Sequence, residues 1–123
     1  MANTTPGRTP DRRRFPRVQI SGELHGQLGL FRTPVVILDI SENGFAVESP
    51  VPFTPEQVYR VHFSSPQRAH PMLEAINVHC LQVETNESES VYFAGFQFGA
   101  NVPAAAVQNI LEDVRILQSA SFV

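Results

Sequence analysis

Short runs of alternating or β-branched residues, closed off by proline-rich and polar breaks, constrain this chain more than any other feature. "VQISGEL" (18–24) alternates Val18 and Ile20 against Gln19 and Ser21. "TPVVILDI" (33–40) is nearly continuous, as a strand buried on both sides would be, and "GFAVES" (44–49) follows at once. "QVYRVHF" (57–63) sets Tyr59, Val61 and Phe63 against Val58, Arg60 and His62. "MLEAINVHCLQVE" (72–84) is long, and "SVYFAGFQFG" (90–99) alternates through Tyr92, Ala94, Phe96 and Phe98. "SPVPFTP" (49–55), "SSPQRAHP" (64–71) and "TNESES" (85–90) supply the turn chemistry between them. Six strands at this spacing, with almost no helix between them, predict a mainly β protein, an antiparallel barrel or sandwich.

Only the tail breaks the pattern. Val107, Ile110, Leu111, Val114 and Leu117 recur at helical spacing, with Gln108, Glu112 and Arg115 mostly opposite. A helix over about 102–119 is predicted, with Asn101 as its cap and Pro103 in the first turn, where a missing N–H costs little. Its apolar face can pack on the chain's own barrel or serve a dimer. The first is expected, since the stripe is short.

A chain of 123 residues is long enough for one domain with a genuine core, and its 42% hydrophobic share suits a globular protein. The expected organisation is a flexible leader over 1–11 and a single domain over 12–123, with the barrel at about 17–99. The leader, "MANTTPGRTPD", is polar and lacks apolar periodicity. No apolar run approaches the roughly 18 residues that span a bilayer, and no h-region follows the early arginines. The single cysteine, Cys80, forms no internal disulfide and completes no zinc pattern. Cytoplasmic residence without membrane insertion is expected.

Charge is unevenly distributed. Residues 1–17 hold five arginines against Asp11, a local charge of +4, while the remaining four arginines meet eleven acids, a charge of −7. Surfaces for long nucleic acids spread positive charge over a whole face. A short arm on a negative body fits a small anion better, so neither DNA nor RNA is expected as a partner. Within "RRRFPR" (12–17), Pro16 disfavours helix at Phe15, so the arm is extended or bent. Arg13 and Arg17 then lie at most about 13 Å apart, at ~3.3 Å per residue. Guanidinium pairs bidentately with a phosphate or with a guanine edge. Taken alone, such arginines are as readily solvated or paired with the acidic body.

The second stretch is "LDISENGFAV". Asp39 stands at a strand end, where a carboxylate can accept hydrogen bonds from a guanine ring N–H and amino group. Ser41 carries a hydroxyl, and Gly44 permits positive φ and close backbone approach in a tight reversal. These are also the residues any strand-joining turn prefers. Four histidines (His25, His62, His70, His79) share no ligand-like spacing, and His79 and Cys80 point to opposite strand faces. No metal site is expected. No nucleophile elbow, Walker loop or H-E-x-x-H occurs, so nothing supports an enzyme. The aromatic strand 90–99 reads as barrel core more simply than as a base-stacking platform.

Together the two stretches give the sequence a resemblance to the PilZ domain family, marked by R-x-x-x-R in an N-terminal arm and [D/N]-x-S-x-x-G between two early strands. Arg13 and Arg17 match the first motif; Asp39, Ser41 and Gly44 match the second. The resemblance runs from about Arg12 to the strand around Phe98. It implies a six-stranded antiparallel β-barrel that binds the second messenger cyclic di-GMP. Arg13 and Arg17 would then contact phosphates and the Hoogsteen edge of guanine. Asp39 and Ser41 would read guanine from the barrel side, and Gly44 would shape the turn. In the family a basic residue before the first motif tends to accompany two stacked ligand molecules. Arg12 holds that position and implies an intercalated dimer of cyclic di-GMP, whereas Arg14 has no assigned role. No other cofactor is implied. The arm would order over the barrel on binding and change the surface offered to an unidentified effector protein, with the chain itself a monomer or weak homodimer. The alternative is an adaptor that keeps the fold without using the nucleotide. Relatives of that kind have usually lost the arginines or the Asp/Ser pair.

Overall fold

The computed structural model describes residues 18–19, 24–85 and 89–120. The leader and the whole "RRRFPR" arm therefore lie outside the described residues. Seven strands and one helix follow in order: β1 (Val18–Gln19), β2 (His25–Leu28), β3 (Thr33–Ile40), β4 (Gly44–Ser49), β5 (Val58–Ser64), β6 (Leu73–Glu84), β7 (Ser90–Phe98) and α1 (Ala104–Ala120).

All pairings are antiparallel, and six strands close into a ring, β2–β3–β4–β7–β6–β5 and back to β2. β3 is the hinge of this closure. One edge pairs with β4; the other takes β2 along Thr33–Val36 and then β1 at Asp39 and Ile40. The six-stranded barrel expected from the sequence is present, but its first stave is not where the alternation placed it. Within 18–24 only Val18–Gln19 is assigned to a strand, with residues 20–23 outside the described part. The stave in the ring is His25–Leu28, a four-residue "HGQL" with too few apolar residues to declare itself. A Cβ on Gly26 would meet the end of the Ile37 side chain, which would have to shift to admit it.

The barrel interior is filled by the inward residues of every stave. Leu28, Ile37, Ile40, Phe45, Val47, Val61 and Phe63 are all essentially inaccessible. Aromatic rings organise the centre: Phe45 stacks on Phe96 with centroids 5.1 Å apart and meets Phe63 edge-on at the same distance. Phe53, from the proline-rich 49–55 segment, turns inward against Tyr59 and Phe96. Helix α1 packs Ile110 and Val114 into the same core, so its apolar stripe serves the chain's own barrel. The Pro103 carbonyl accepts the first helical hydrogen bonds, from Ala106 and Val107, so the helix begins there and not from a cap at Asn101.

Two strands change phase midway. In β3 the register shifts between Ile37 and Asp39, leaving Leu38 as the extra residue of a bulge. In β6 it shifts between Asn77 and His79, leaving Val78 as the extra residue. Strict alternation after Val35 and Ile37 would have turned Asp39 into the core and Ile40 out to solvent. The bulge reverses this, and Ile40 is fully buried while Asp39 faces outward beside Ala46. In β6, Leu73, Ala75 and Asn77 point inward, and without the second bulge His79 would follow them. Asn77 holds that bulge by donating from Nδ2 to the carbonyls of His79 (2.9 Å) and Gly95 (3.0 Å).

Candidate functional site

The segment "DISENG" is the connection between β3 and β4, a two-residue loop of Glu42 and Asn43 between Ser41 and Gly44. The Ser41 amide donates to the Gly44 carbonyl at 2.8 Å and closes the loop. The Ser41 hydroxyl oxygen accepts from the amides of Asn43 (3.2 Å) and Gly44 (3.4 Å), and Ser41 is only 3% exposed. Its oxygen is thus engaged in holding the loop. Gly44 has an ordinary negative φ, since the positive-φ residues among those described are Gly29, Arg32 and Glu56. The freedom expected from positive φ is therefore not what glycine supplies here. Close approach is: a Cβ on Gly44 would run into the Phe96 carbonyl oxygen of β7.

The loop is anchored on two further elements. The Phe98 amide donates to the Asn43 carbonyl at 2.9 Å, and Gln108 of α1 donates from Nε2 to Glu42 at 3.1 Å. Asp39, Ser41 and Gly44 are thus brought together on a braced turn. Arg12, Arg13 and Arg17 lie outside the described residues. Their chain neighbours do not: Val18, which follows Arg17, pairs with Ile40, which precedes Ser41, and Gln19 pairs with Asp39. The two sequence motifs are therefore joined through a strand pairing.

Asp39 belongs to an outward cross-strand row. It pairs with Ala46 of β4, Ala46 with Gly95 of β7, and Gly95 with His79 of β6. The next outward row is Val36, Glu48, Phe93 and Leu81. Between the carboxylate of Asp39 and the imidazole of His79, the first row thus holds only two small residues. Sequence patterning does not single out Ala46, Gly95 or His79. The available signal was the glycine at an outward position of the aromatic strand "YFAGFQF".

A second polar cluster lies elsewhere, between the 64–72 connection and α1. Asp113 is 1% exposed, and its carboxylate receives Ser65 Oγ at 2.7 Å, Arg68 Nε at 3.2 Å and His70 Nε2 at 2.7 Å. Burial alone would raise its pKa, but hydrogen bonds from Arg68, Ser65 and His70, with the charge interaction with His70, hold it below the ordinary carboxylate value. Among the described residues, no cluster of three or more His, Cys, Asp or Glu could hold a metal. No helix there is long and apolar enough to cross a membrane.

These features define a class: a small closed barrel with a short polar turn between two neighbouring staves and, in its sequence, a basic stretch over 12–17. The PilZ domain family model matches residues 11–115, and the chain belongs to that family. A search of curated proteins finds no match. Among solved structures, the chain is similar to K. pneumonia MrkH in complex with c-di-GMP, at 19% identity and TM-score 0.69, covering 91% of this chain and 56% of that one. It is similar to the PilZ domain of Escherichia coli YcgR with c-di-GMP, at 14% identity and TM-score 0.67, covering 91% and 99%. The Bacillus subtilis inhibitor of motility MotI/DgrA aligns at 18% identity and TM-score 0.63, covering 89% and 52%. The chain thus spans about half the length of MrkH and MotI.

Proposed function

We propose that this protein is a cyclic di-GMP receptor in which the arginine arm and the Asp39–Gly44 turn close on the ligand from two sides. The observation that carries the reading is the β1–β3 register, which sets the residue after Arg17 against the residue before Ser41. Family membership and the c-di-GMP complexes among its structural neighbours support the choice of ligand. Arg13 and Arg17 pair with phosphates and the guanine Hoogsteen edge, and Asp39 accepts from the guanine ring N–H and amino group. Ser41 contributes by fixing the turn that presents Asp39, and Gly44 by letting β4 lie close to β7. Arg12 favours two stacked ligand molecules. A ligand of charge −2 meets a local charge of +4 over residues 1–17, and screening beyond about 8 Å in physiological salt limits repulsion from the acidic body. Ordering of the arm on binding alters the surface offered to a protein effector.

The adaptor alternative draws on one observation: Leu30 and Phe31, at the tip of the β2–β3 hairpin, are 89% and 88% exposed, as a contact surface for another protein would be. Titration calorimetry with cyclic di-GMP separates the readings. Saturable heat at tens of micromolar protein supports the receptor, and its absence at low and moderate salt rejects it. A ratio near two ligands per chain supports the stacked pair; a ratio of one rejects it.

A further inference from the structure

The two bulges fall at the same level of the barrel, on either side of the β4–β7 pair. One lies opposite Ala46 and turns Asp39 outward; the other lies opposite Gly95 and turns His79 outward. Bulges of this kind re-aim side chains next to functional sites. Here a pair of them brings two residues that alternation would have buried onto one outward row. Between these two lie only Ala46 and Gly95, so this part of the row is a trough.

His79 does not point away from this trough. A Cβ on Gly95 would stand 2.8 Å from Cε1 and 2.9 Å from Nε2 of His79, so the imidazole sits over Gly95 and inside the row. That position is open only because residue 95 has no side chain. The ring is on an exposed residue, and its nitrogens make no hydrogen bond with the described residues. It covers the strand two places from Asp39, about 10 Å away at ~4.8 Å per strand. Such a trough, floored by a methyl group and flanked by an imidazole and a carboxylate, offers a purine both a ring to stack on and an acceptor for its N–H edge.

We infer that His79 is a ligand-contacting residue, its ring stacking on a guanine that lies over Ala46 and fixing which bases the site accepts. The inference rests on the cyclic di-GMP reading and adds a contact from β6, on the opposite side of the trough from the 41–44 turn. Aromatic stacking tolerates any purine face, so His79 supplies affinity while Asp39 supplies the choice of guanine.

The test is titration of the full chain with cyclic di-GMP for wild type, Asp39→Ala, His79→Ala, His79→Phe and His79→Gln, each checked by thermal melting. Loss of a stacked base typically weakens binding about ten-fold or more, so His79→Ala and His79→Gln are expected to lose that much. His79→Phe, which keeps a ring, is expected to stay within a few-fold of wild type. Wild-type affinity in His79→Ala overturns the inference, and so does retention by the glutamine variant with loss in the phenylalanine one. In both cases, binding by wild type that is lost in Asp39→Ala leaves the receptor reading standing. No binding by wild type rejects both. Gly95→Ala offers an independent check: a methyl there displaces the ring, and affinity should fall with His79 intact.

Discussion

Two carboxylates divide the molecule. Asp113 is buried to 1% exposure and spends its oxygens on Ser65, Arg68 and His70, all from the connection that α1 covers. Asp39 is half-buried on the outer wall, carried there by a bulge and set at the end of a trough. The first is saturated from within the chain, and its chemistry is structural. The second stands where a ligand can reach it. A depressed acid is thus a fastening here, and the proposed site coincides instead with backbone irregularity: two bulges in one row.

Substitutions sharpen the contrast. Asp113→Ala should be the most damaging to stability, since it strands His70 and Arg68. A loss of about 2–4 kcal/mol is expected in urea denaturation, below the cost for a fully buried pair because Arg68 reaches water. A loss under ~1 kcal/mol would show that the cluster does not fasten the helix. The folded-state pKa of Asp113 is depressed, so its contribution is fully present above the ordinary value of 3.8 and vanishes as pH falls through the lower folded value. The urea midpoint of wild type should therefore fall more steeply under acid than that of Asp113→Asn, and parallel curves would contradict this.

Gly44→Ala drives a methyl into the Phe96 backbone, which cannot yield without loosening the β4–β7 pairing. It should cost about 1–3 kcal/mol and weaken ligand binding as well. Asp39→Ala and Arg17→Ala should reduce cyclic di-GMP affinity roughly ten- to hundred-fold, equivalent to about 1–3 kcal/mol. Unaltered affinity in both would mean that the site lies elsewhere. Smallest is Ser41→Ala, expected to lower stability by about 1 kcal/mol through its two loop hydrogen bonds. A large affinity loss with no change in stability would instead give Ser41 a direct part in binding.

Much of this was legible in the sequence where period and turn chemistry agreed. Strands β4, β5 and β7 and the face of α1 followed from alternation and from helical spacing, because each buries one side against a single core. The turn "DISENG" was found for the residue types it contains. β2 was not, because "HGQL" owes its place to pairing with β3 and β5 and not to its own composition. Neither bulge could be read, since an extra residue leaves no trace in an apolar run such as "VVILDI". His79 and Asp39 therefore could not be seen to share a face. The Asp113 cluster was hidden by distance: its partners lie 43 to 48 residues away, and an acid on a helix gives no hint of them.

The closure of the ring by β3 and β4 has a mechanical meaning. Residues 25–98 complete the barrel without β1, which hangs on a stretch of β3 that β2 leaves unpaired. The two residues of β1 therefore add a strip to a vessel already closed, and the six-stave pairing does not draw on them.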